Sequence, residues 1–456
     1  MSVRVRFAPS PTGYLHIGNA RAALMNWLFA KKNNGLFIFR LDDTDQERSK
    51  DCYTEAIKED LAWLGLTYGE YFKQSDRFAR YQEVVEALIK KGRLYPCYET
   101  PEELDYKRKL LLSKKKPPVY DRQALTLTPE QIAAYEAEGR KPHWRFKLVP
   151  GMIEWTDLVR GPVRFNAQDL SDPVLIRADG TYLYTLTSVI DDYDYAITHI
   201  IRGEDHVTNT ATQVQLFQAI HNDQHFPVEF AHTTLLMDAD GQPLSKRIGS
   251  LSLRGLREEG IYPMAINAHL ARLGTSLPIE PKVSLNDLVD EFDFKYFSNT
   301  PPKFDLKDLK ILNHKLFHLM PFDTIQPDIM ALGCTRITAL EWALLHDNIQ
   351  TLHDLKQWEE ILYGDALTVN VQDPDYIKLA YDVLPKDQIT EDTWINWTNA
   401  LKLQTGRKGK DLFMPLRLAL TGLPHGPEMK SVIVLMGMER VCTRLQSQFR
   451  ITNTNV

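Results

Sequence analysis

Residues 3–45 read VRVRFAPSPTGYLHIGNARAALMNWLFAKKNNGLFIFRLDDTD. Val3, Val5 and Phe7 alternate with polar residues, as a strand with one buried face requires. Pro9, Pro11 and Gly13 then break the backbone. From Asn19 onward, Ala20, Leu24, Trp27 and Leu28 fall on one helical face. Gly35 closes that helix, and Leu36 to Leu41 form a second apolar strand. A crossover helix between two such strands argues for a parallel βαβ unit. In open parallel sheets the ligand crevice lies at the carboxyl ends of the strands. Here those ends are Ala8-Pro9-Ser10 and Asp42-Asp43-Thr44-Asp45.

Beyond this unit the pattern becomes irregular from about Glu99 to Leu183. Thr100-Pro101-Glu102-Glu103 and Thr128-Pro129-Glu130-Gln131 each combine a capping residue, a proline and an acid, the pattern of a helix start. Regular α/β character resumes at Tyr184, with strands expected at Ile197 to Ile201 and Thr233 to Met237. The arrangement is that of a nucleotide-binding fold split by an insertion. After Phe322 the chain reads as all-helical. Thr338-Ala339-Leu340-Glu341 is a capping box followed by Trp342, Leu345 and Ile349 at helical spacing. Asp373-Pro374 opens another helix, with Tyr376, Leu379 and Val383 on one face. No internal repeat or low-complexity segment occurs.

At 456 residues the chain exceeds what one core supports, so two to four domains are expected. Its 43% hydrophobic and 25% charged residues are ordinary for a globular protein. No apolar run reaches the roughly 18 residues that span a bilayer, and the N-terminus lacks the pattern of a signal peptide. A cytoplasmic protein without a membrane partner is expected. Cys52, Cys97, Cys334 and Cys442 have no close partners in sequence, which fits reduced thiols and gives no metal-ligand spacing. A net charge of −6 argues mildly against nucleic acid. Yet Lys107-Arg108-Lys109 with Lys114-Lys115-Lys116, the run Lys303, Lys307, Lys310, Lys315, and Arg407-Lys408 with Lys410 are three basic clusters compatible with a polyanion along one side.

Two segments carry chemistry. The first is Arg6 to Asn19. A helix N-terminus offers unpaired N–H groups and the positive end of its dipole to phosphates. Gly18 lets a charged group approach the backbone, and His16 and Asn19, one turn apart, can donate toward the same phosphates. The second is Asp238-Ala239-Asp240-Gly241-Gln242-Pro243-Leu244-Ser245-Lys246-Arg247-Ile248-Gly249-Ser250. Rich in turn formers, it reads as a mobile loop whose Lys246 and Arg247 can fold onto a triphosphate. Taken singly, the first is explained by a turn histidine with a packing glycine, and the second by an exposed basic loop.

Together the two segments resemble the His-Ile-Gly-His and Lys-Met-Ser-Lys-Ser motifs of the class I aminoacyl-tRNA synthetases. Arg-Phe-Ala-Pro-Ser-Pro-Thr-Gly, Asp-Asp-Thr-Asp and Ile200-Ile-Arg-Gly-Glu-Asp-His206 resemble the glutamyl/glutaminyl branch. Gly409-Lys-Asp-Leu-Phe-Met-Pro-Leu-Arg417 resembles the bacterial glutamyl-tRNA synthetase anticodon-binding domain. The resemblance implies an α/β Rossmann-type catalytic domain with an inserted α+β acceptor-binding domain, then an all-α anticodon-binding domain. The implied division is 1–98 and 184–245 for the catalytic halves and 99–183 for the insert. Residues 246–321 would hold the mobile loop and stem-contact region, and 322–456 the helical domain.

The implied reaction joins L-glutamate to the 3′ end of tRNA through an adenylate, with ATP as substrate helped by Mg²⁺. The glutamate carboxylate arrives ionised, so no nucleophilic triad is needed; alignment and charge stabilisation suffice. The resemblance assigns His16, Gly18, Asn19 and Lys246 to catalysis. It assigns ATP to these together with Pro9, Ser10, Thr12, Ser245 and Arg247. For glutamate, Arg6 matches the residue pairing with the side-chain carboxylate, and Arg202 the one facing the α-carboxylate. Asp42 stands where the family often has glutamate, holding the ammonium with Ala8 and Ser10, and Tyr184 lines the pocket.

Asn19, Asp42, Ser188 and the lack of a first lysine near Pro243-Leu244 depart from the family pattern. Cys97 lies where some relatives begin a zinc site, but Glu99 and Tyr120 occupy the neighbourhood of other ligands, so no structural zinc or other metal site is expected. A monomer is expected, with a downstream amidotransferase if tRNA-Gln is charged. The rivals are a glutaminyl-tRNA synthetase, which would have β-barrel anticodon domains, and a non-synthetase nucleotidyltransferase of the same fold, which would not need the helical third.

Overall fold

The computed structural model describes residues 2–222, 224, 227–242, 244, 252–364 and 373–450. They fall into two compact units, Met1–Glu258 with Ile266–Leu306, and Glu259–Ala265 with Lys307–Val456. No helix among the described residues is long and apolar enough to cross a membrane.

The first unit contains the strands β1 (Arg4–Phe7), β2 (Leu36–Leu41), β3 (Glu70–Lys73), β4 (Leu94–Cys97), β5 (His143–Phe146), β6 (Met152–Asp157), β7 (Gly161–Asn166), β8 (Val174–Ile176), β9 (His199–Gly203) and β10 (Glu229–Thr233). β1, β2 and β3 pair in parallel, as the opening βαβ pattern predicts. Helix Ile17–Lys32 makes the crossover and buries Ala20, Leu24, Trp27 and Leu28. It ends through Asn34, whose φ is +50°, rather than through Gly35. Gly35 serves close approach instead: a Cβ there would lie 2.4 Å from the carbonyl oxygen of Val3.

A second sheet has the order β7-β6-β10-β9. β6, β10 and β9 run parallel, and β7 closes a hairpin on β6. Thr198 ties the two sheets together. Its N–H donates to the Arg4 carbonyl at 2.9 Å, and its Oγ1 accepts from the Arg4 N–H at 2.9 Å. Strand order therefore runs outward from β1 in one direction and from β9 in the other. That reversal opens a crevice at the carboxyl ends of β1 and β9.

The last strand lies earlier than the sequence pattern suggests. Thr233 to Met237 is expected to be extended in the sheet, but β10 is Glu229–Thr233, with Phe230, Ala231, His232 and Thr233 all buried in it. Leu235, in the expected strand, is 43% exposed. β4, β5 and β8 form a separate antiparallel sheet. Its Phe146 and Leu175 join one apolar cluster with Ile38, Ile200 and Phe230 of the parallel strands and Tyr81, Ile190 and Phe217 of the helices packed on them. Burial of this kind contributes about 25 cal/mol per Å2 of apolar surface.

Among its described residues the second unit is helical throughout. The Thr338–Glu341 capping box forms: the Thr338 N–H donates to Glu341 at 2.8 Å, and the Leu340 N–H to Thr338 Oγ1 at 3.2 Å. Trp342, Leu345 and Ile349 are buried behind it. Helix Pro374–Val383 forms, burying Tyr376, Ile377 and Ala380, while Leu379 and Val383, at helical spacing from Tyr376, are half-buried. The architecture is the expected one, an α/β catalytic fold with an α+β insertion and an all-helical C-terminal part.

Candidate active site

The crevice is built first by a helix cap. His16 is the N-cap of helix Ile17–Lys32, and its Nδ1 accepts from the N–H groups of Gly18 at 3.1 Å and Asn19 at 3.4 Å. Asn19 Oδ1 accepts the His16 N–H in return. This reciprocal cap fixes the imidazole tautomer: Nδ1 carries the lone pair, so Nε2 carries the proton. Burial lowers the His16 pKa, which keeps the ring neutral. A Cβ on Gly18 would lie 2.9 Å from His16 Cε1, so the glycine makes room for the capping ring itself. The Asn19 amide hydrogens, unpartnered among the described residues, remain for a ligand. A shorter side chain thus replaces the second histidine of the related motif without loss of the cap.

The loop between β1 and this helix is tied to the end of β2. The Asp42 N–H donates to the Pro9 carbonyl at 3.0 Å, the Lys50 N–H to that of Pro11 at 3.1 Å, and the Thr12 N–H to that of Ser10 at 2.9 Å. Ser10 and Thr12 are exposed on it. Ser245, Lys246 and Arg247 lie outside the described residues. The chain on either side is anchored nonetheless. The Leu253 N–H donates to the Leu15 carbonyl at 3.0 Å, and Ser252 bridges to His16. On the other side, the Asp238 N–H donates to the Gln242 carbonyl at 2.7 Å.

Arg6, Asp42, Tyr184 and Arg202 come from β1, the end of β2, a helix start and β9. Arg6 donates to both oxygens of Asp192, through Nε at 3.0 Å and Nη2 at 3.3 Å, leaving Nη1 for a ligand. Arg40, 1% exposed, donates to the same Asp192 at 2.8 Å and clasps Asp42 through Nε at 2.6 Å and Nη2 at 3.2 Å. Burial raises the Asp42 pKa to about 6 against the pull of Arg40. The acid beside Arg6 is thus Asp192, and Asp42 belongs to Arg40.

Arg202 is wired differently. Nη1 donates to Tyr184 Oη at 2.9 Å, Nη2 to Thr210 Oγ1 at 2.5 Å and to Gln213 Oε1 at 2.6 Å, and Nε to His232 Nε2 at 3.4 Å. Among the described residues its hydrogen-bond partners are all neutral. Burial, first, and nearby Arg6 lower its pKa. A buried guanidinium without a carboxylate of its own is prepared for an anionic ligand. Ser188, another departure from the family pattern, accepts from Gln213 Nε2 at 2.9 Å and so braces this partner. The His206 ring packs on Tyr184 with centroids 5.4 Å apart, and burial together with Arg202 lowers its pKa to about 4.

Arg40, Asp192, Thr210, Gln213 and His232 were not among the candidates from sequence. Arg40 carries a sequence signal, a charge inside the otherwise apolar strand Leu36–Leu41; Asp192, Thr210 and Gln213 lie in helices with several polar residues and do not stand out.

The Cys97 neighbourhood holds more ligands than spacing suggested. His143, distant in sequence, enters beside Cys97 and Glu99, and one ligand atom from each lies within 4.8 Å of the others. Glu99 Oε2 and His143 Nε2 are buried without a hydrogen-bond partner. The set is incomplete for zinc, which takes four ligands in structural sites. Burial pushes the Cys97 thiol up to about 12, Tyr120 Oη donates to Glu99 at 2.8 Å, and Lys107 already pairs with that carboxylate at 3.5 Å.

Comparison with known proteins identifies the family. Residues 2–311 match the model of the class I tRNA synthetase (E and Q) catalytic domain, and residues 318–449 that of an anticodon binding domain. The chain is 52% identical over 449 residues to the glutamate–tRNA ligase of Azospirillum brasilense, covering 98% of this chain and 100% of that one. It is 50% identical over 446 residues to glutamate–tRNA ligase 1 of Maricaulis maris, covering 98% and 99%. The crystal structure of a glutamate tRNA ligase from Elizabethkingia meningosepticum in complex with its amino acid superposes with a TM-score of 0.83 at 27% identity, covering 99% of both chains. With two family models spanning nearly its whole length and half its residues shared with such relatives, the chain belongs to the class I tRNA synthetases of the E and Q group.

Proposed function

We infer that the protein attaches L-glutamate to the 3′ end of tRNA-Glu, using ATP and passing through glutamyl-adenylate. The observation that carries this reading is the charge pattern of the crevice. Arg202 is a buried cation whose hydrogen-bond partners among the described residues are neutral, Arg6 keeps one nitrogen for a ligand beside Asp192, and Asp42 stands at the end of β2, clasped by Arg40. Two cations and one anion complement the two carboxylates and one ammonium of glutamate. Relatives of half-identical sequence carry the name glutamate–tRNA ligase, which supports the same substrates. Helices rather than β-barrels follow the catalytic unit among the described residues, which disfavours the glutaminyl alternative.

In this reading Arg6 holds the side-chain carboxylate, Arg202 the α-carboxylate, and Asp42 the ammonium beside Ala8 and Ser10. The α-carboxylate attacks the α-phosphorus of ATP, which enters as its Mg²⁺ complex, and pyrophosphate leaves. His16 Nε2–H and the Asn19 amide donate to phosphate oxygens, with Pro9, Ser10, Thr12 and the helix N-terminus around them. Lys246, with Ser245 and Arg247, neutralises charge on the leaving pyrophosphate. A ribose hydroxyl of the terminal adenosine then attacks the adenylate carbonyl. The division 1–98, 99–183, 184–245, 246–321 and 322–456 goes with this reading, as do a cytoplasmic monomer and the absence of zinc. The test is aminoacylation of purified tRNA-Glu and tRNA-Gln in parallel with glutamate and glutamine. Glutamate on tRNA-Glu is expected; glutamate on tRNA-Gln as well would add an amidotransferase partner, and preference for glutamine would overturn the reading.

A further inference from the structure

Behind Arg202 stands a buried pair that the reaction described above does not use. His232 sits opposite Arg202 in the register of β10 on β9. Its Nδ1 lies 2.5 Å from Asp157 Oδ2, and its backbone N–H donates to Asp157 Oδ1 at 3.1 Å. Asp157, at the end of β6, also accepts the N–H groups of Val159 at 3.0 Å and Arg160 at 3.1 Å. Both side chains are fully buried. Burial would raise the Asp157 pKa, but the donors from His232 and Arg160 outweigh it and keep the carboxylate ionised. Burial keeps His232 neutral.

An ionised acceptor at Nδ1 fixes the proton there, so Nε2 presents its lone pair. That lone pair faces Thr210 Oγ1 at 2.8 Å and Arg202 Nε at 3.4 Å. Thr210 can then donate to His232 and accept from Arg202, and one edge of the guanidinium is held by a chain that begins at Asp157. The contrast with Arg6 is instructive. Asp192 touches Arg6 directly, which orients the guanidinium while taking up part of its charge. Asp157 reaches Arg202 only through a neutral ring, which orients it and leaves its charge for the ligand.

We propose that His232, locked in one tautomer by Asp157, is a positioning residue that aims Arg202 at a carboxylate of the amino-acid substrate. The proposal rests on the reading that Arg202 holds that carboxylate. It separates the pair's function from ring packing, since Trp155 and Phe230 also lie against His232.

The test is steady-state pyrophosphate exchange on the full chain with tRNA present, following KM for glutamate and KM for ATP separately, alongside Tm. His232→Asn keeps a donor toward Asp157 but has no atom at the Nε2 position. His232→Gln keeps an acceptor at that position. Asp157→Asn presents an amide to Nδ1, forcing the proton to Nε2 and turning a donor toward Arg202. His232→Asn and Asp157→Asn should each raise KM for glutamate about tenfold or more, the range for a lost hydrogen bond to a charged group, with KM for ATP nearly unchanged. His232→Gln should recover most of that loss. Equal KM values for the Asn and Gln variants, or glutamate and ATP constants that rise together with a fall in Tm, would overturn the proposal. If the His232 variants do not fold, the near-isosteric Asp157→Asn decides alone: an unchanged glutamate KM sinks the proposal. Arg202→Gln is the control, because its failure to raise glutamate KM would remove the underlying reading of Arg202 as well, whereas a large effect there with none at His232 removes only the proposal.

Discussion

Arg6 donates through Nε and Nη2 to the two oxygens of Asp192, at 3.0 and 3.3 Å, where both side chains are almost closed to solvent. The same arginine is therefore both a structural partner and a candidate reader of glutamate. Arg6→Gln should act on both counts. Breaking a buried ion pair costs about 3–5 kcal/mol, and the remaining 2.8 Å contact of Asp192 with Arg40 should hold the loss near the lower end. Thermal melting should register it. Specificity should suffer too: kcat/KM should fall far more for glutamate than for glutamine, because a guanidinium pairs with a carboxylate and not with an amide. Equal losses for the two amino acids would leave Arg6 with its structural role alone.

If Asp42 holds the glutamate ammonium, as proposed, it should make glutamate binding pH-dependent. Its carboxyl is raised to about 6, so it is ionised above that pH and protonated below it. An ammonium needs the ionised form, and the carboxylates and ammonium of free glutamate do not titrate in this range. KM for glutamate should climb as pH falls from 7 through about 6, while KM for ATP stays level. Asp42→Asn should show the high KM at every pH. A glutamate KM in the wild type that is flat between pH 5.5 and 7.5 would contradict this.

Gly18→Ala should damage the active site without touching the core. The added Cβ, 2.9 Å from His16 Cε1, displaces the ring from its cap. Loss of an N-cap costs roughly 1 kcal/mol, so the fall in Tm should be slight. Adenylate formation should drop much more steeply, since the displaced imidazole no longer presents Nε2–H to phosphate. Single-turnover kinetics compared with melting curves will reveal whether the two losses are unequal.

For Lys246→Ala, activation should fall about a hundredfold, the scale for one preorganised charge contact to a transition state, with folding unaffected. Activation has to be measured with tRNA present. Near-normal rates would take Lys246 out of the mechanism.

Metal analysis of the purified protein should find no stoichiometric zinc. Cys97, Glu99 and His143 lie together, yet a raised thiol pKa and the Lys107 ammonium on Glu99 work against a dication. One zinc per chain, removed by a chelator with a fall in Tm, would assign a structural ion to these three residues.

Much of the catalytic fold was legible from residues 3–45, because alternation, proline breaks and helical periodicity are local signals. β1, β2 and the helix between them follow from those signals; of the candidates, Arg202 and Tyr184 touch directly, and Arg6 and Asp42 are linked through Asp192 and Arg40. Their partners were not legible. Arg6 and Asp192 are 186 residues apart, and Asp157 and His232 are 75 apart. Which buried acid meets which buried base depends on strand order, not on periodicity. His232 was further obscured because the expected strand began at Thr233, one residue beyond it. A run of apolar residues after β10 imitates a strand, although Leu235 turns to solvent.

The hairpin of β6 and β7 comes from the stretch between the two catalytic halves, yet β6 lies between β7 and β10 in the parallel sheet. Excising residues 99–183 would therefore not return an ancestral core with one loop fewer. It would strip β6 and β7 from this sheet and β5 and β8 from the antiparallel one, leave β10 as a bare edge able to recruit other chains, and remove Asp157. An insertion that has grown into its host's sheet is no longer a module that can be gained or lost in a single genetic event.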